Sequence, residues 1–172
     1  MAKLPACPIC GSKDVSRIEG FYHCNACRSD FGRKPVADNG KPLIDEIIGL
    51  RYRDGDLIQG SLRARFAAEE GCCLYEVYST YTGEIKKVAH VLSLEEWKEV
   101  KRVLLEELYV YDWDKYYIPP NDGREVDQFK GWELSLEVSP DEVYTSGGFG
   151  EYPVYFKGFL KLMDPLLSVL KG

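Results

Sequence analysis

Four of the six cysteines form two C-x-x-C pairs that are separated by thirteen residues. Each pair supplies two sulfur atoms from one tight turn, and four thiolates in a tetrahedron are a ligand set that zinc prefers in structural sites. This spacing is more typical of metal binding under reducing conditions than of a disulfide framework. We therefore predict one structural zinc ion with these ligands: Cys7, Cys10, Cys24 and Cys27.

Three other interpretations fit these residues less well. Free core thiols or a redox pair leave the doubling of the motif unexplained. A catalytic metal needs an open coordination position, and four thiolates close the shell. His23 stands beside Cys24 and could replace a sulfur ligand, but an isolated histidine in this position is more typical of a protein surface.

The residues between the two pairs predict a β-hairpin. Val15, Ile18, Phe21 and Tyr22 are strand-forming residues on either side of Glu19-Gly20. Phe31 follows the last cysteine by four residues and is expected to close a small core. Such a core buries too little to fold unaided, so the energy of metal binding would be the folding energy of this module.

This N-terminal stretch resembles the zinc ribbon family, which includes the transcription-factor and rubredoxin-like ribbons. The resemblance covers about thirty residues, less than a fifth of the chain, and implies a metal and a fold. Family members include nucleic-acid binders, protein-docking modules and structural staples. One residue departs from the pattern, because Arg28 stands where glycine is common. The matching residues are Cys7, Cys10, Gly11, Tyr22, Cys24, Cys27 and Phe31.

Composition indicates a folded protein, with 45% hydrophobic and 29% charged residues among 172. No stretch is long and apolar enough to span a membrane, and the N-terminus lacks the apolar region of a secretory signal, so we expect a cytoplasmic protein. Net charge is −6, divided as +3 over residues 1–41 and −9 over residues 42–172. The acidic part is expected to repel nucleic acids and membrane surfaces.

The chain divides into three parts: a zinc ribbon over residues 1–34, a linker over 35–42 and an α+β domain over 43–172. The linker is predicted from two prolines and Asn39-Gly40. It would leave the ribbon mobile or let it fold back on the domain. The domain is predicted to hold about six mostly antiparallel strands and two helices.

Alternation of apolar and polar residues predicts the strands. Ile48–Arg53 and Ser61–Ala67 would form a hairpin with one apolar face and one face lined with arginine, turning at Asp54-Gly55-Asp56. Later runs predict further strands, and the Gly-rich segment that follows Thr145 is predicted to end the last of them. These later runs are Cys73–Thr80, Ile85–Leu92, Trp132–Val138 and Glu142–Thr145.

Two helices follow from capping and helical spacing. Ser93 and Glu96 form a capping box, which predicts a helix that begins there. Pro153 is suited to open a last helix, and Pro165 is expected to kink or interrupt it.

Weaker patterns allow other functions. Adjacent Cys72-Cys73 with His90 shows no activating neighbour, so core thiols are favoured over a nucleophile. Gly147–Gly150 lacks the spacing of a phosphate loop, so a flexible turn is favoured.

Aromatic and acidic residues could bind a basic protein partner or could pack on the sheet edge: Tyr109, Tyr111, Asp112, Trp113, Asp114, Tyr116, Tyr117 and Asp122. Nucleic acid could bind through Lys13, Arg17, Phe21, Tyr22, Arg28, Arg33 and Lys34.

The favoured function is a non-enzymatic zinc protein that acts as a protein-interaction or adaptor module, with a protein partner and no membrane contact. The alternative is a regulator that binds DNA or RNA through the ribbon. An enzyme is a third reading, but no paired carboxylates, triad or open metal site can be identified in the sequence.

Overall fold

The computed structural model describes residues 3–56, 59–81, 85–118 and 130–168. The N-terminal part forms a small antiparallel sheet in the order β1-β2-β3. Its strands are β1 (Val15–Ile18), β2 (Phe21–Cys24) and β3 (Asp30–Phe31). The predicted hairpin is therefore confirmed, with its turn at Glu19 and Gly20.

The rest of the described chain forms a seven-stranded sheet with three α-helices, which confirms the α+β class. The strand order is β7-β6-β5-β4-β9-β10-β8, and every neighbouring pair is antiparallel except β8 with β10. The strands are β4 (Gly49–Asp56), β5 (Gly60–Glu69), β6 (Cys72–Ser79), β7 (Lys86–Ser93), β8 (Tyr116–Tyr117), β9 (Lys130–Ser139) and β10 (Glu142–Phe149). The helices are α1 (Leu43–Glu46), α2 (Leu94–Arg102) and α3 (Phe156–Leu167).

The large sheet has one covered face and one open face. Leu50 pairs with Phe66 and Tyr52 with Ala64, and all four are buried. The helices cover this face: the ring of Trp97 from α2 stacks on Phe66 with 6.1 Å between centroids. Successive residues of a strand point to opposite faces, so the arginines of β4 and β5 lie on the open face, as predicted.

Helix α2 begins at the predicted N-cap residue, Ser93, but the Glu96 carboxylate accepts from the Ser93 hydroxyl and not from the Ser93 amide that a capping box would use. The Glu96 amide donates to the Ser93 Oγ at 3.1 Å, and the Ser93 hydroxyl donates to the Glu96 carboxylate at 3.2 Å. A single π-helical turn, Val103–Glu107, continues the helix. The helical segment therefore reaches almost to Tyr109, where the chain turns.

Two strand boundaries differ from the prediction. Asp54-Gly55-Asp56 was predicted as a turn, but β4 continues through it because both β5 and β9 pair with it. The Gly-rich segment after Thr145 was predicted to break the sheet, yet β10 runs on to Phe149. Glycine is required there by close packing: a Cβ at Gly148 would lie 2.5 Å from the Tyr117 carbonyl oxygen in β8.

The last helix begins later than predicted, and its internal proline does not interrupt it. Pro153 lies in a turn, where its carbonyl accepts from the Phe156 amide at 3.0 Å, and α3 begins three residues later than predicted. Pro165 lies within α3 without ending it. Proline has no N–H group, so Pro165 cannot donate a helical hydrogen bond to the Lys161 carbonyl. Both residues are exposed, so water can reach Lys161.

The segment 35–42 packs on the large sheet. Ala37 is buried, and Val36 pairs with Pro42 in an isolated bridge. The buried Glu142 carboxylate accepts from the Asp38 amide and from the Tyr144 hydroxyl, each at 2.8 Å. The predicted linker is therefore packed against the large sheet.

No helix in the described part of the chain is both long enough and apolar enough to cross a membrane.

We expect Gly148→Ala to lower the free energy of unfolding by about 1–3 kcal/mol, because the added methyl group would force β8 away from β10. Urea unfolding measures this loss. Gly131→Ala in β9 is the control, since its methyl would first meet the exposed ring of Phe149, which can move. Equal losses in the two variants would contradict the close-packing explanation.

Candidate metal centre

The four cysteines of the two pairs converge on one point. The Cys7 and Cys27 Sγ atoms lie 3.7 Å apart, the Cys10 and Cys24 Sγ atoms lie 3.5 Å apart, and all four sulfurs lie within 4.8 Å of one another. A tetrahedron with zinc–sulfur distances near 2.3 Å has edges of about 3.8 Å. Disulfide sulfurs would lie near 2.05 Å, so this geometry fits a metal site and the cluster could hold a metal ion.

The two turns that supply the sulfurs have the same backbone hydrogen bonds. The carbonyl of the first cysteine in each pair accepts from the residue four positions on: Gly11 donates to Cys7 and Arg28 donates to Cys24, each at 2.9 Å. The amide of that cysteine donates to the residue five positions on, Ser12 or Ser29. The repeated C-x-x-C sequence thus folds as a repeated structural unit.

The residue after each cysteine pair has a left-handed backbone, with φ of 78° at Gly11 and 66° at Arg28. Glycine adopts this region freely, whereas a residue with a Cβ is strained there by about 1–2 kcal/mol. Arg28, the one departure from the zinc ribbon pattern, therefore has the backbone conformation that glycine has in the first turn.

The environment of the sulfurs differs across the cluster. Cys7 and Cys24 are fully buried, Cys10 is exposed and Cys27 is half-buried. Burial raises the pKa of the Cys7 thiol to about 12, whereas hydrogen bonding from Ser29 lowers the pKa of Cys27 to about 6. Metal ligation requires thiolates, so a bound cation would compensate for the charge that burial disfavours at Cys7.

The small core beneath the cluster is completed by residues of the large domain. Phe31 is fully buried and stacks on Tyr22 with 5.4 Å between ring centroids. The Tyr109 ring meets Phe31 edge-on at 5.4 Å, Tyr22 at 6.4 Å and Tyr155 at 5.6 Å. We call this four-ring contact the aromatic joint: Tyr22, Phe31, Tyr109 and Tyr155.

Two hydrogen bonds reinforce the aromatic joint. The Asp112 carboxylate accepts from the Gly32 amide at 3.1 Å, and the Tyr155 hydroxyl donates to the Ala6 carbonyl at 2.6 Å. Burial raises the pKa of the Asp112 carboxyl, and the bond from Gly32 acts in the opposite direction. Ala6 and Gly32 flank the cysteine turns in sequence. These bonds therefore hold the cysteine-bearing segment 6–32, which we call the metal module, at both of its ends.

Tyr109 has a left-handed backbone, with φ of 52°. This conformation is unusual for a bulky residue and is retained only where surrounding contacts outweigh its strain of about 1–3 kcal/mol. At Tyr109 the contacts are those of the aromatic joint, and the conformation also ends the helical segment that follows α2.

The remaining candidate residues do not join the sulfur cluster. His23 lies outside it, with its Nδ1 2.7 Å from the Asp30 carboxylate. Cys72 and Cys73 point to opposite sides of the sheet, and Cys73 is buried with a pKa raised by desolvation to about 11. His90 stacks on Tyr75 instead of activating either thiol.

Both aromatic residues proposed to stack on nucleic acid already have partners within the chain. Tyr22 belongs to the aromatic joint, and the Arg33 guanidinium lies 3.5 Å from the ring centroid of Phe21. This contact also uses one of the cations in the nucleic-acid set. Lys13, Arg17, Arg28 and Lys34 are exposed.

The aromatic and acidic segment divides between two roles. Tyr109 and Asp112 contact the metal module, and Trp113 is buried, donating from its indole to the Leu108 carbonyl at 2.8 Å. Tyr116 is 68% exposed. Asp122 lies outside the described residues. The sequence identified this segment as either a binding surface or a packing element, and packing accounts for its central residues.

Comparisons of the chain with family models, with curated proteins and with solved structures found no match.

We expect Arg28→Gly to raise the free energy of unfolding by up to about 1 kcal/mol, because glycine relieves the left-handed strain. Urea unfolding of the metal-loaded protein measures the change. Gly11→Ala should have the opposite sign, since its methyl is strained at φ 78° and meets Val154 at 3.2 Å. Arg17→Gly in β1 is the control for arginine loss and should be destabilising; a similar loss in Arg28→Gly would contradict the explanation.

We expect Tyr109→Ala to lower the free energy of unfolding by about 2–4 kcal/mol through loss of aromatic packing. The same change should free the metal module and speed the transfer of metal to a chromogenic chelator. Tyr109→Phe keeps the ring and should match the wild type in both measurements. Unchanged metal transfer in Tyr109→Ala would mean that the joint does not restrain the module.

Proposed function

We propose that the chain is a non-enzymatic zinc protein. Cys7, Cys10, Cys24 and Cys27 would bind one zinc ion in the N-terminal ribbon, and this ribbon packs against the α+β domain, or body, which binds a partner. The observation that carries the metal assignment is the convergence of four sulfur atoms with spacings of 3.5 and 3.7 Å in the two closest pairs. Within the described residues, this is also the sole group of three or more potential metal ligands.

The donor chemistry supports zinc as the ion. Four soft thiolates in a tetrahedron select zinc or iron over calcium and magnesium, which prefer oxygen ligands. Zinc has no redox activity of its own and contributes folding energy directly in sites of this kind. The ion would supply the stability that a core of four buried residues, Cys7, Val15, Cys24 and Phe31, lacks.

A structural role is favoured over catalysis because the four sulfurs fill the shell and leave no position for water or substrate. The aromatic joint extends this structural role beyond the ribbon. Through it the metal-folded ribbon is packed against Tyr109, Asp112 and Tyr155 of the body, so the ion would stabilise the assembled chain and not the ribbon alone.

The body supports a binding role more than the ribbon does. Phe21 and Tyr22, the ribbon aromatics that nucleic acid would stack on, are covered by Arg33 and by the aromatic joint. No observation therefore favours the regulator that binds DNA or RNA through the ribbon, whereas the open face of the large sheet is uncovered in the described chain.

Elemental analysis of protein purified without added metal tests the assignment. We expect one zinc per chain, and thiol titration should show four additional reactive thiols after a strong chelator has removed it. Cys10→Ser should weaken zinc retention, and Cys72→Ser, outside the cluster, should leave it unchanged. Absence of metal, or iron in its place, would overturn the structural-zinc assignment.

A further inference from the structure

The open face of the large sheet carries four arginines in adjacent positions. In the antiparallel pair β4–β5, Arg51 lies directly opposite Arg65 and Arg53 directly opposite Arg63. Opposed residues have Cβ atoms about 5 Å apart, and alternate residues of one strand are about 7 Å apart. The four side chains therefore rise from a patch of about 5 by 7 Å, which we call the arginine quartet.

The facing arginines of the quartet repel one another in the unliganded protein. Like charges placed directly opposite one another destabilise a sheet, and here this happens twice in succession. Arg51 has an ion pair with Glu137. No carboxylate of the described residues lies within ion-pair distance of Arg53, Arg63 or Arg65, so three guanidinium groups retain their hydrogen-bonding capacity.

The quartet lines a hollow in the open face. The hollow has a volume of about 520 Å³, within the range of pockets that hold small molecules. Its floor also includes Tyr78, which lies opposite Arg63, and Lys87, which lies opposite Tyr78. These groups offer an aromatic ring and a further cation beside the guanidinium groups.

Acidic residues border the hollow and limit the shape of its ligand. Glu133 lies opposite Arg53 on one side, and Glu76 lies opposite Arg65 on the other. Glu76 is 3.4 Å from the Lys87 ammonium. A long polyanion crossing the sheet would meet these carboxylates, whereas a compact anion over the centre would meet mainly arginine. Arginine binds phosphate oxygens in bidentate geometry.

We propose that the arginine quartet binds a small molecule carrying a diphosphate or triphosphate group, with the phosphates over Arg53, Arg63 and Arg65. The inference goes beyond the proposed binding of a partner by adding a small-molecule ligand, and it is independent of the metal centre. It also explains why an acidic chain of net charge −6 places four arginines side by side: a bound polyanion converts their mutual repulsion into attraction.

Isothermal titration calorimetry of the full, zinc-loaded chain tests the proposal, with inorganic pyrophosphate and ADP as probes. We expect saturable binding of at least one probe that weakens as salt is raised, since the contacts are ionic. Tighter binding of ADP than of pyrophosphate would identify a nucleotide ligand with the base near Tyr78. Equal or tighter binding of pyrophosphate would identify the diphosphate group as the recognised part.

The variant Arg53→Gln/Arg63→Gln removes one opposed pair and should weaken binding at least tenfold. Its stability should be unchanged or higher, because a repulsion has been removed; this separates lost binding from lost folding. Glu133→Gln removes a border carboxylate and should tighten binding two- to fivefold. Lys13→Gln/Arg17→Gln, which alters two exposed cations of the N-terminal part, is the charge-matched control and should bind as the wild type does.

Three results would overturn the proposal: no binding of either probe at millimolar concentration, binding that survives Arg53→Gln/Arg63→Gln, or quartet-dependent binding of a single-stranded oligonucleotide with none of the small probes. These failures are distinct from failure of the zinc assignment. A chain that contains zinc but binds neither probe contradicts only this inference, and a chain that binds ADP but contains no zinc contradicts only the metal assignment.

Discussion

The two-residue period of the central strands determines both faces of the large sheet. In β4 and β5 the same alternation that buries Leu50 and Phe66 under the helices exposes Arg51 and Arg65 on the other side. A shift of one residue in either strand would place guanidinium groups in the core, so burial of the apolar residues fixes the register. The arginine quartet is therefore positioned by the hydrophobic core beneath it, and its four charges do not have to stabilise their own arrangement.

The ribbon depends on contacts that its own sequence cannot supply. It has only four buried core residues, and two of them are cysteines of the sulfur cluster. The two cysteine turns constrain only one side of this core. The Tyr109 ring closes the other side, in a backbone conformation that is strained in isolation. A metal ion bound by the four cysteines and the aromatic packing on Phe31 would each make the other more favourable, because both reduce the freedom of the same few residues.

Features that depend on neighbouring residues could be predicted from the sequence, and those that depend on distant contacts could not. The cysteine turns, the hairpin around Gly20 and the Ser93 cap each involve residues no more than nine positions apart. The aromatic joint brings Tyr109 against Tyr22 and Phe31, 87 and 78 positions before it, and Tyr155, 46 positions after it, and no periodic pattern marks Tyr109 as its centre. Gly148 was misread for the same reason: its meaning depends on β8, which pairs with β10 from outside any local pattern.

The order of synthesis at the ribosome determines when the aromatic joint can form. Cys27, the last of the four cysteines, is made well before Tyr109, and Tyr155 follows 128 residues after Cys27. At typical rates of synthesis that interval is roughly ten seconds. The N-terminal module could bind an ion early in that interval, but its packing partner Tyr155 is made only near the end. The nascent chain therefore passes through a stage in which this module has been made and the large sheet is still incomplete.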